Sequence, residues 1–415
     1  MNSKEEIKAL VLRNLSQKRI VLFGAGKVAE NFYNLYRDKL NISHCVSNIA
    51  KEWGQNKFLD QLDVRQYKRE EIQKNDYIIV CGPIAFRNIE IQLLRDGLEM
   101  YTHFVESNIA DAIFQEKKIA LFYGTCVLRD IYLCTIQVQS FCDIYASIFT
   151  QAPKDQPAIM NRVLYYAKDI CDIYVYTPKI LDRDSVYELA REELPDDCKV
   201  ISLSNLVVSL YWPQINAKLA EYNPDYLYSY NSRRNLNFFH TLYRREDTNI
   251  HKMLLEKKST KDIVKALSDE DFYSEKEVRR NQKVVFKLIE IAEKGVNITI
   301  LDYIKENYQN QMIYQNFIHP NKCIVWEYVR RFLNMIDIDT DEVSMLEKKS
   351  PEHIHQSGDV PVYPCVIKHM QLSWAEEKKK YEILTGDGIR FMTFEEYIEH
   401  FVEYERKVME IMQLY

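Results

Sequence analysis

The sequence predicts an α/β protein built as two parallel-sheet, three-layer units, and three observations carry that expectation. Short apolar runs alternate with stretches of helical spacing, which is how parallel strands covered on both faces read in a sequence. Two of these runs follow a charged pair and end in a glycine turn: Lys18-Arg19-Ile20-Val21-Leu22-Phe23-Gly24-Ala25-Gly26 and Lys117-Lys118-Ile119-Ala120-Leu121-Phe122-Tyr123-Gly124-Thr125-Cys126. The chain holds only 10 glycines in 415 residues, so three of them at two strand-to-helix turns answer a local requirement.

The first unit is expected over residues 1–115. Residues 5–15 have helical spacing and read as a leading helix. Ile20–Phe23 then reads as a strand, Val28–Tyr36 as an amphipathic helix, and Ile42–Val46 and Tyr77–Cys81 as further strands. Ile84–Arg95 reads as a helix closed by Gly97, since glycine suits the left-handed position after a helix end. The second unit is expected over 116–340, with strands Ile119–Tyr123, Ile144–Phe149, Ile173–Tyr176, Val200–Leu203 and Tyr226–Tyr230. Helices are expected near 127–140 and 157–169, and a charged helical insertion near 242–295. A helix from about 298 leads to Gln315-Asn316-Phe317-Ile318-His319-Pro320, and Ile324–Met335 is strongly amphipathic. Residues 341–415 read as a loop followed by a helical C-terminal extension.

Composition limits the function classes. A hydrophobic content of 47% with 28% charged residues is that of a soluble globular protein. A formal net charge of −6 argues against nucleic-acid binding through a basic surface. No apolar run is long enough for a transmembrane helix, and the start Met1-Asn2-Ser3-Lys4-Glu5-Glu6 lacks the apolar core of a secretory signal. Nine scattered cysteines, without Cys-x-x-Cys or zinc-type spacing, point to reduced thiols in the cytoplasm and to no metal site. Cys81 and Cys171 lie in apolar runs and read as small core residues.

The first glycine turn, Gly24-x-Gly26-x-x-Ala29, fits the dinucleotide-binding fingerprint, because a strand running into a helix offers backbone N–H groups and the positive helix end to a phosphate. That fingerprint wants a carboxylate at the end of the next strand, where this chain has Cys45-Val46-Ser47-Asn48. NAD is therefore not expected. Two readings stay open: a nucleotide or nucleotide-sugar site made by Gly24, Gly26, Lys27 and Asn48, or a turn that only packs. The unit resembles the small Rossmann-like domains found ahead of sugar-modifying enzymes, in which Val-Asp-Asn commonly ends that strand; only Asn48 of the acidic pair is kept here.

The second turn places Cys126 at a helix start, where the helix field lowers a thiol pKa and makes a nucleophile. Far downstream, Asn316-x-x-His319-Pro320 offers a histidine to take the thiol proton and an amide to fix its tautomer. Pro320 marks an element boundary, which holds His319 in a fixed, semi-exposed position. The order invites comparison with SGNH-hydrolase-like domains, in which a nucleophile follows the first strand and Asp-x-x-His ends the domain. Cysteine would replace serine, and asparagine would replace aspartate, since a thiol needs less help to deprotonate. Tyr228-Ser229-Tyr230-Asn231-Ser232-Arg233-Arg234 follows a candidate strand, where parallel sheets bind ligands. Asn231 would serve an oxyanion beside Gly124, Thr125 and the backbone of Cys126, and Arg233 and Arg234 would meet carrier phosphates. A turn residue and a solvated loop are the competing readings for these three.

Residues from about 117 to 370 resemble the WcbI-type capsular polysaccharide biosynthesis family, acetyltransferases that bind coenzyme A. The resemblance rests on Gly124-Thr125-Cys126, on Ser209-Leu210-Tyr211-Trp212-Pro213 and on Asn316-Phe317-Ile318-His319-Pro320. It implies transfer of an acyl group, with acetyl-coenzyme A as donor, to a capsular or other cell-surface polysaccharide or its sugar precursor, in association with a glycan-assembly complex. Thr125 and Val127 stand where that family usually has asparagine and glutamine, so an oxyanion role of that asparagine would pass to Thr125 or elsewhere. Two other functions stay open: a glycan acyl esterase using the same three residues, and a non-catalytic protein that binds a nucleotide-sugar or other ligand. Glu352-His353-Ile354-His355 reads as plain loop or strand, and Tyr211 and Trp212 as core.

Overall fold

The computed structural model describes residues 3–54, 62–81, 86–150, 167–178, 193–204, 208–216, 247–355, 357–377, 380–385 and 388–411. The chain forms two compact units. The first runs through Pro178 and closes with the segment ending at Ser202; the second begins at Leu203. That division falls inside the 116–340 segment that the sequence presents as one domain.

The first unit contains both parallel sheets. Helix α1 (Lys4–Gln17) starts with a Ser3/Glu6 capping box, each side chain closing the other's orphan backbone N–H. A five-stranded sheet follows, β1 (Arg19–Phe23), β2 (Ile42–Ser47), β3 (Val64–Gln66), β4 (Asp76–Val80) and β5 (Phe104–Glu106), in the order β3-β2-β1-β4-β5. All its pairings are parallel, and strands buried on both faces explain the unbroken apolar runs of β1 and β4. Helices α2 (Lys27–Tyr36) and α3 (Phe86–Arg95) are its crossovers. Gly97, at φ +77°, ends α3 as expected: its N–H donates to Leu94 and that of Leu98 to Leu93.

Helix α4 (Ser107–Phe114) leads into the second sheet, of order β7-β6-β8-β9, also parallel: β6 (Lys118–Tyr123), β7 (Tyr145–Thr150), β8 (Ile173–Tyr176) and β9 (Lys199–Ser202). Between β6 and β7 the single expected helix is two, α5 (Cys126–Thr135) and α6 (Gln139–Ile144). One buried cluster runs from Ile20, Leu22 and Tyr77 through Ile109 and Ile113 to Ile119, Leu121 and Tyr174, so the two sheets of this unit share a core. The expected strand at Tyr226–Tyr230 and the helix near 157–169, all but its last residues, lie outside the described residues.

The second unit is mainly helical. Its helices include Thr248–Leu255, Thr260–Leu267, Glu275–Ala292, Leu301–Asn307, Lys322–Met335, Val343–Lys349, Pro364–Met370 and Phe394–Ile411. The loop expected at the start of the 341–415 segment contains the helix Val343–Lys349, seated by the fully buried Val343. The C-terminal extension is not all helical: β10 (Tyr381–Thr385) and β11 (Gly388–Met392) form an antiparallel hairpin before the last helix. Tyr211 and Trp212 are core residues, as expected; Tyr211 Oη donates to the Tyr308 carbonyl at 2.8 Å and Trp212 Nε1 to that of Val360 at 3.1 Å. No helix among the described residues is long and apolar enough to cross a membrane.

Candidate functional site

In the second sheet, β6 is the strand from which the order runs both ways, with β7 on one side and β8 on the other. At such a switch point the carboxyl ends of the strands leave a crevice. Gly124 follows β6 directly, Thr125 is the N-cap of α5 and Cys126 its first residue. The first-turn N–H groups of a helix have no intrahelical partner and collect the positive end of its dipole. Cys126 is half-buried at that point.

A side chain at position 124 would crowd two neighbouring side chains. A Cβ there would lie 2.6 Å from Thr177 Oγ1 and 2.7 Å from Leu128 Cδ2, closer than carbon packs. Thr177 follows β8, the neighbouring strand, and is fully buried. The hydroxyl oxygens of Thr177 and Thr125 are both buried without a hydrogen-bond partner among the described residues. Thr125 makes no side-chain cap to its own helix. Each unpartnered buried hydroxyl costs on the order of 1–3 kcal/mol, and two of them flank the turn that carries Cys126. Thr177 was not singled out in the sequence, since a threonine after a strand carries no signal until the neighbouring turn is known.

The thiols elsewhere are of another kind. Seven of the nine cysteines are buried and none forms a disulfide. Burial pushes the Cys45, Cys134 and Cys323 thiols up to about 12. Cys81 and Cys171 sit in the core as expected.

In the second unit, the Asn316–His319 segment is a tight turn. Tyr314 bridges Pro320, Gln315 N donates to the His319 carbonyl at 3.2 Å and Asn321 N to that of Ile313 at 3.0 Å. The helix Lys322–Met335 begins right after Pro320 and Asn321, the boundary expected from the proline. Asn316 is buried and His319 half-buried. Asn316 Oδ1 accepts from the backbone N–H groups of Ile318 (3.1 Å) and His319 (3.0 Å). Its Nδ2 donates to Ser357 Oγ at 2.9 Å and to the Gly358 carbonyl at 3.2 Å. Ser357 Oγ in turn lies 3.0 Å from His319 Nδ1. Asn316 therefore reaches the imidazole through Ser357, not directly.

The loop set aside as plain surrounds this histidine. His355 stacks on His319 with ring centroids 3.7 Å apart. His353 Nε2 pairs with the buried Asp359 at 3.1 Å, and its Nδ1 lies 3.0 Å from Asn321 Oδ1. Asp359 is bound on both sides to Glu382 of β10, and Val360 N donates to the Gln315 carbonyl at 2.8 Å. Gly358 permits this docking: it has φ +70° and a Cβ there would lie 2.8 Å from Leu384 N. The alternating histidines of Glu352–His355 were the only sequence signal for any of this.

In the first turn, Gly24 has φ +108° and a Cβ there would lie 2.9 Å from the Cys81 carbonyl oxygen, so β1 and β4 approach as only glycine allows. Gly26, the N-cap of α2, has open space where its Cβ would be. Lys27 pairs with Glu30 at 2.7 Å. Asn48 Nδ2 donates to Gln92 Oε1 at 2.7 Å, and Ser47 Oγ to Glu52 at 2.6 Å. Gly24 and Asn48 thus stand at the carboxyl ends of adjacent strands, with Ser47 and Asn48 engaged in local hydrogen bonds. Asn231, Arg233 and Arg234 lie outside the described residues.

No protein-family model matches this chain, and no curated protein matches it. Among solved structures, its fold is similar to that of WcbI, a novel polysaccharide biosynthesis enzyme, in the native form without a disulfide bond between coenzyme A and one of its cysteines. The likeness has a TM-score of 0.52 at 13% identity and covers 70% of this chain and 90% of that one. At that identity it is a likeness of fold, and it agrees with the α/β class read from the sequence.

Proposed function

We propose that this protein is an acyltransferase of polysaccharide biosynthesis, with an acyl-coenzyme A donor and a sugar or polysaccharide hydroxyl as acceptor. The observation that carries the reading is the turn at Gly124-Thr125-Cys126: a half-buried thiol at a helix start, at the switch point of a parallel sheet, flanked by two buried hydroxyls without a hydrogen-bond partner among the described residues. A fold shared with a polysaccharide biosynthesis enzyme whose structure concerns coenzyme A and a cysteine supports the choice of carrier.

In this reading the Cys126 thiol gives up its proton to solvent, and its sulfur attacks the thioester carbonyl. The carbon–sulfur bond to the carrier breaks, and coenzyme A leaves as a thiolate that takes a proton from solvent. The acceptor hydroxyl then attacks the acyl-cysteine. Its proton passes to the Cys126 sulfur as that bond breaks, leaving an ester on the sugar and the free thiol. The first-turn N–H groups of α5 and the Thr125 hydroxyl are donors for the oxyanion formed in each step. His319 is the second residue assigned to the chemistry, with Asn316 holding its turn. An acyl-coenzyme A donor puts the reaction in the cytoplasm, and a polymer acceptor fits work beside a glycan-assembly complex.

The test is acetyl-coenzyme A turnover with and without a sugar acceptor. Acceptor-dependent release of coenzyme A, lost in Cys126→Ser, supports transfer. Release of the acyl group from an acylated glycan in water, with no use of coenzyme A, would establish the esterase instead.

A further inference from the structure

We propose that Cys171 and Cys198 are a modification site, a thiol pair that peroxide oxidises to a disulfide tying the edge strand β9 to β8. The two sulfurs lie 3.5 Å apart, in van der Waals contact. Cys171 stands two residues before β8 and Cys198 directly before β9, and these strands pair in parallel. Lys199 N donates to the Asp172 carbonyl at 2.9 Å, so the backbones here run at sheet spacing, about 4.8 Å. Disulfides join backbones separated by that order of distance. What remains is for the sulfurs to close from 3.5 Å to a bond of about 2.05 Å.

The contact is held by groups other than the thiols. Lys4 of α1 pairs with Asp172 at 2.8 Å and with Asp197 at 2.5 Å, the residues adjoining the two cysteines. Asp172 Oδ2 also accepts from the backbone N–H of Ile119 in β6 at 2.7 Å. Each cysteine closes a turn: Cys198 N donates to the Pro195 carbonyl at 2.9 Å, and Cys171 Sγ to that of Lys168 at 3.4 Å. Both belong to the buried cluster that the two sheets of the first unit share. One lysine and two strand leads therefore bring the sulfurs together before any bond is made.

Burial sets the order of the chemistry. Contact with Cys198 and burial push the Cys171 thiol far above its usual range, which makes it a poor target for alkylation. Cys198 keeps 5% exposure and Cys171 none, so a small oxidant meets Cys198 first. The Cys198 sulfur takes one oxygen from hydrogen peroxide as the O–O bond breaks, leaving a sulfenic acid and one water. The Cys171 sulfur then attacks the Cys198 sulfur, the S–O bond breaks, and the departing oxygen takes the Cys171 proton as a second water. Two thiols lose two electrons and two protons, and one peroxide becomes two waters. A thiol already in contact competes well with further oxidant from solution, so the sulfenic acid ends as a disulfide. None of this depends on acyl transfer.

The experiment treats the full-length protein with hydrogen peroxide until its free-thiol content stops falling. The protein is then unfolded, alkylated with N-ethylmaleimide and mapped without reductant. The expected product is a linked pair of peptides carrying Cys171 and Cys198, two hydrogens lighter than their sum and separated by dithiothreitol. Cys126→Ser should form the same link, since the pair needs no other thiol. Recovery of Cys171 and Cys198 as alkylated thiols, as sulfinic or sulfonic acids, or joined to other cysteines overturns the proposal in the parent protein without any variant. A link that disappears in Cys126→Ser overturns it as well, because the oxidation would then be relayed from the helix-start thiol.

Discussion

Gly124 and Thr177 meet at the carboxyl ends of neighbouring strands so closely that a methyl group on the glycine would sit 2.6 Å from the threonine hydroxyl. The thiol turn therefore has its shape because one residue lacks a side chain. Gly124→Ala should lose about 1–3 kcal/mol, the usual cost of overpacking a filled site. Thr177→Ala removes the nearest obstacle, so the double variant should recover at least ~0.5 kcal/mol of that loss, the coupling expected of residues in contact. Urea unfolding of the three variants measures it. Strictly additive losses would show that the close approach is not what forbids the methyl.

The two glycines of the first turn should behave oppositely. Gly24→Ala forces a side chain into φ +108° and against the Cys81 carbonyl, and should cost roughly 1–3 kcal/mol. Gly26 has φ −102° and open space at its Cβ, so Gly26→Ala should be within about 0.5 kcal/mol of the parent. The second variant is thus a clean probe of ligand binding at α2. Loss of nucleotide-sugar affinity in Gly26→Ala by calorimetry, at unchanged stability, would assign that turn a ligand; equal affinity in both proteins, or none in either, would leave it a packing device.

Glu106 supplies a pH dependence. It is buried at the end of β5 and caps α4, and burial pushes its carboxyl up to about 7. Its ordinary value is 4.5, so the folded state prefers the protonated form. The stability this group contributes is full below pH 4.5 and is lost as pH rises through 7, a change of roughly 3 kcal/mol. Glu106→Gln keeps an acceptor for the cap and cannot ionise. Its unfolding free energy should vary less between pH 5 and 8 than that of the parent. Parallel pH profiles for the two proteins would refute the assignment.

Cys126 should be the thiol that reacts first. Seven of the nine cysteines are buried, and of the two half-buried ones only Cys126 stands at a helix start. Brief iodoacetamide treatment of the native protein at neutral pH, followed by peptide mapping, should mark Cys126 ahead of Cys142. Preferential labelling of Cys142 would mean that the turn shields its thiol.

The sequence made legible what local physics controls. The runs Ile20–Phe23, Ile119–Tyr123 and Ile173–Tyr176 are apolar because parallel strands are covered on both faces, and each is a strand in the fold. Gly97 ended its helix for the same local reason. The short strands Val64–Gln66 and Phe104–Glu106 were not legible, since three residues hold no period and pairing alone makes them strands. The hairpin Tyr381–Met392 does alternate in burial along its first strand, a pattern too short to compete with the helical spacing beyond it. At the candidate sites, Cys126, Asn316 and His319 were visible as residue types in telling places. Ser357 and Thr177 were not, because their meaning comes from partners far away in sequence: His319 lies thirty-eight residues before Ser357 and Gly124 fifty-three before Thr177.

The measurement that bears most directly on the proposed chemistry is mass spectrometry of the full-length protein mixed with acetyl-coenzyme A. Native spectra should show a coenzyme A complex, and denatured spectra one acetyl group on the peptide carrying Cys126, absent in Cys126→Ser and discharged when a sugar acceptor is added. A protein that neither retains coenzyme A nor acquires the acetyl group, with Cys126 still open to alkylation, would contradict the acyltransferase.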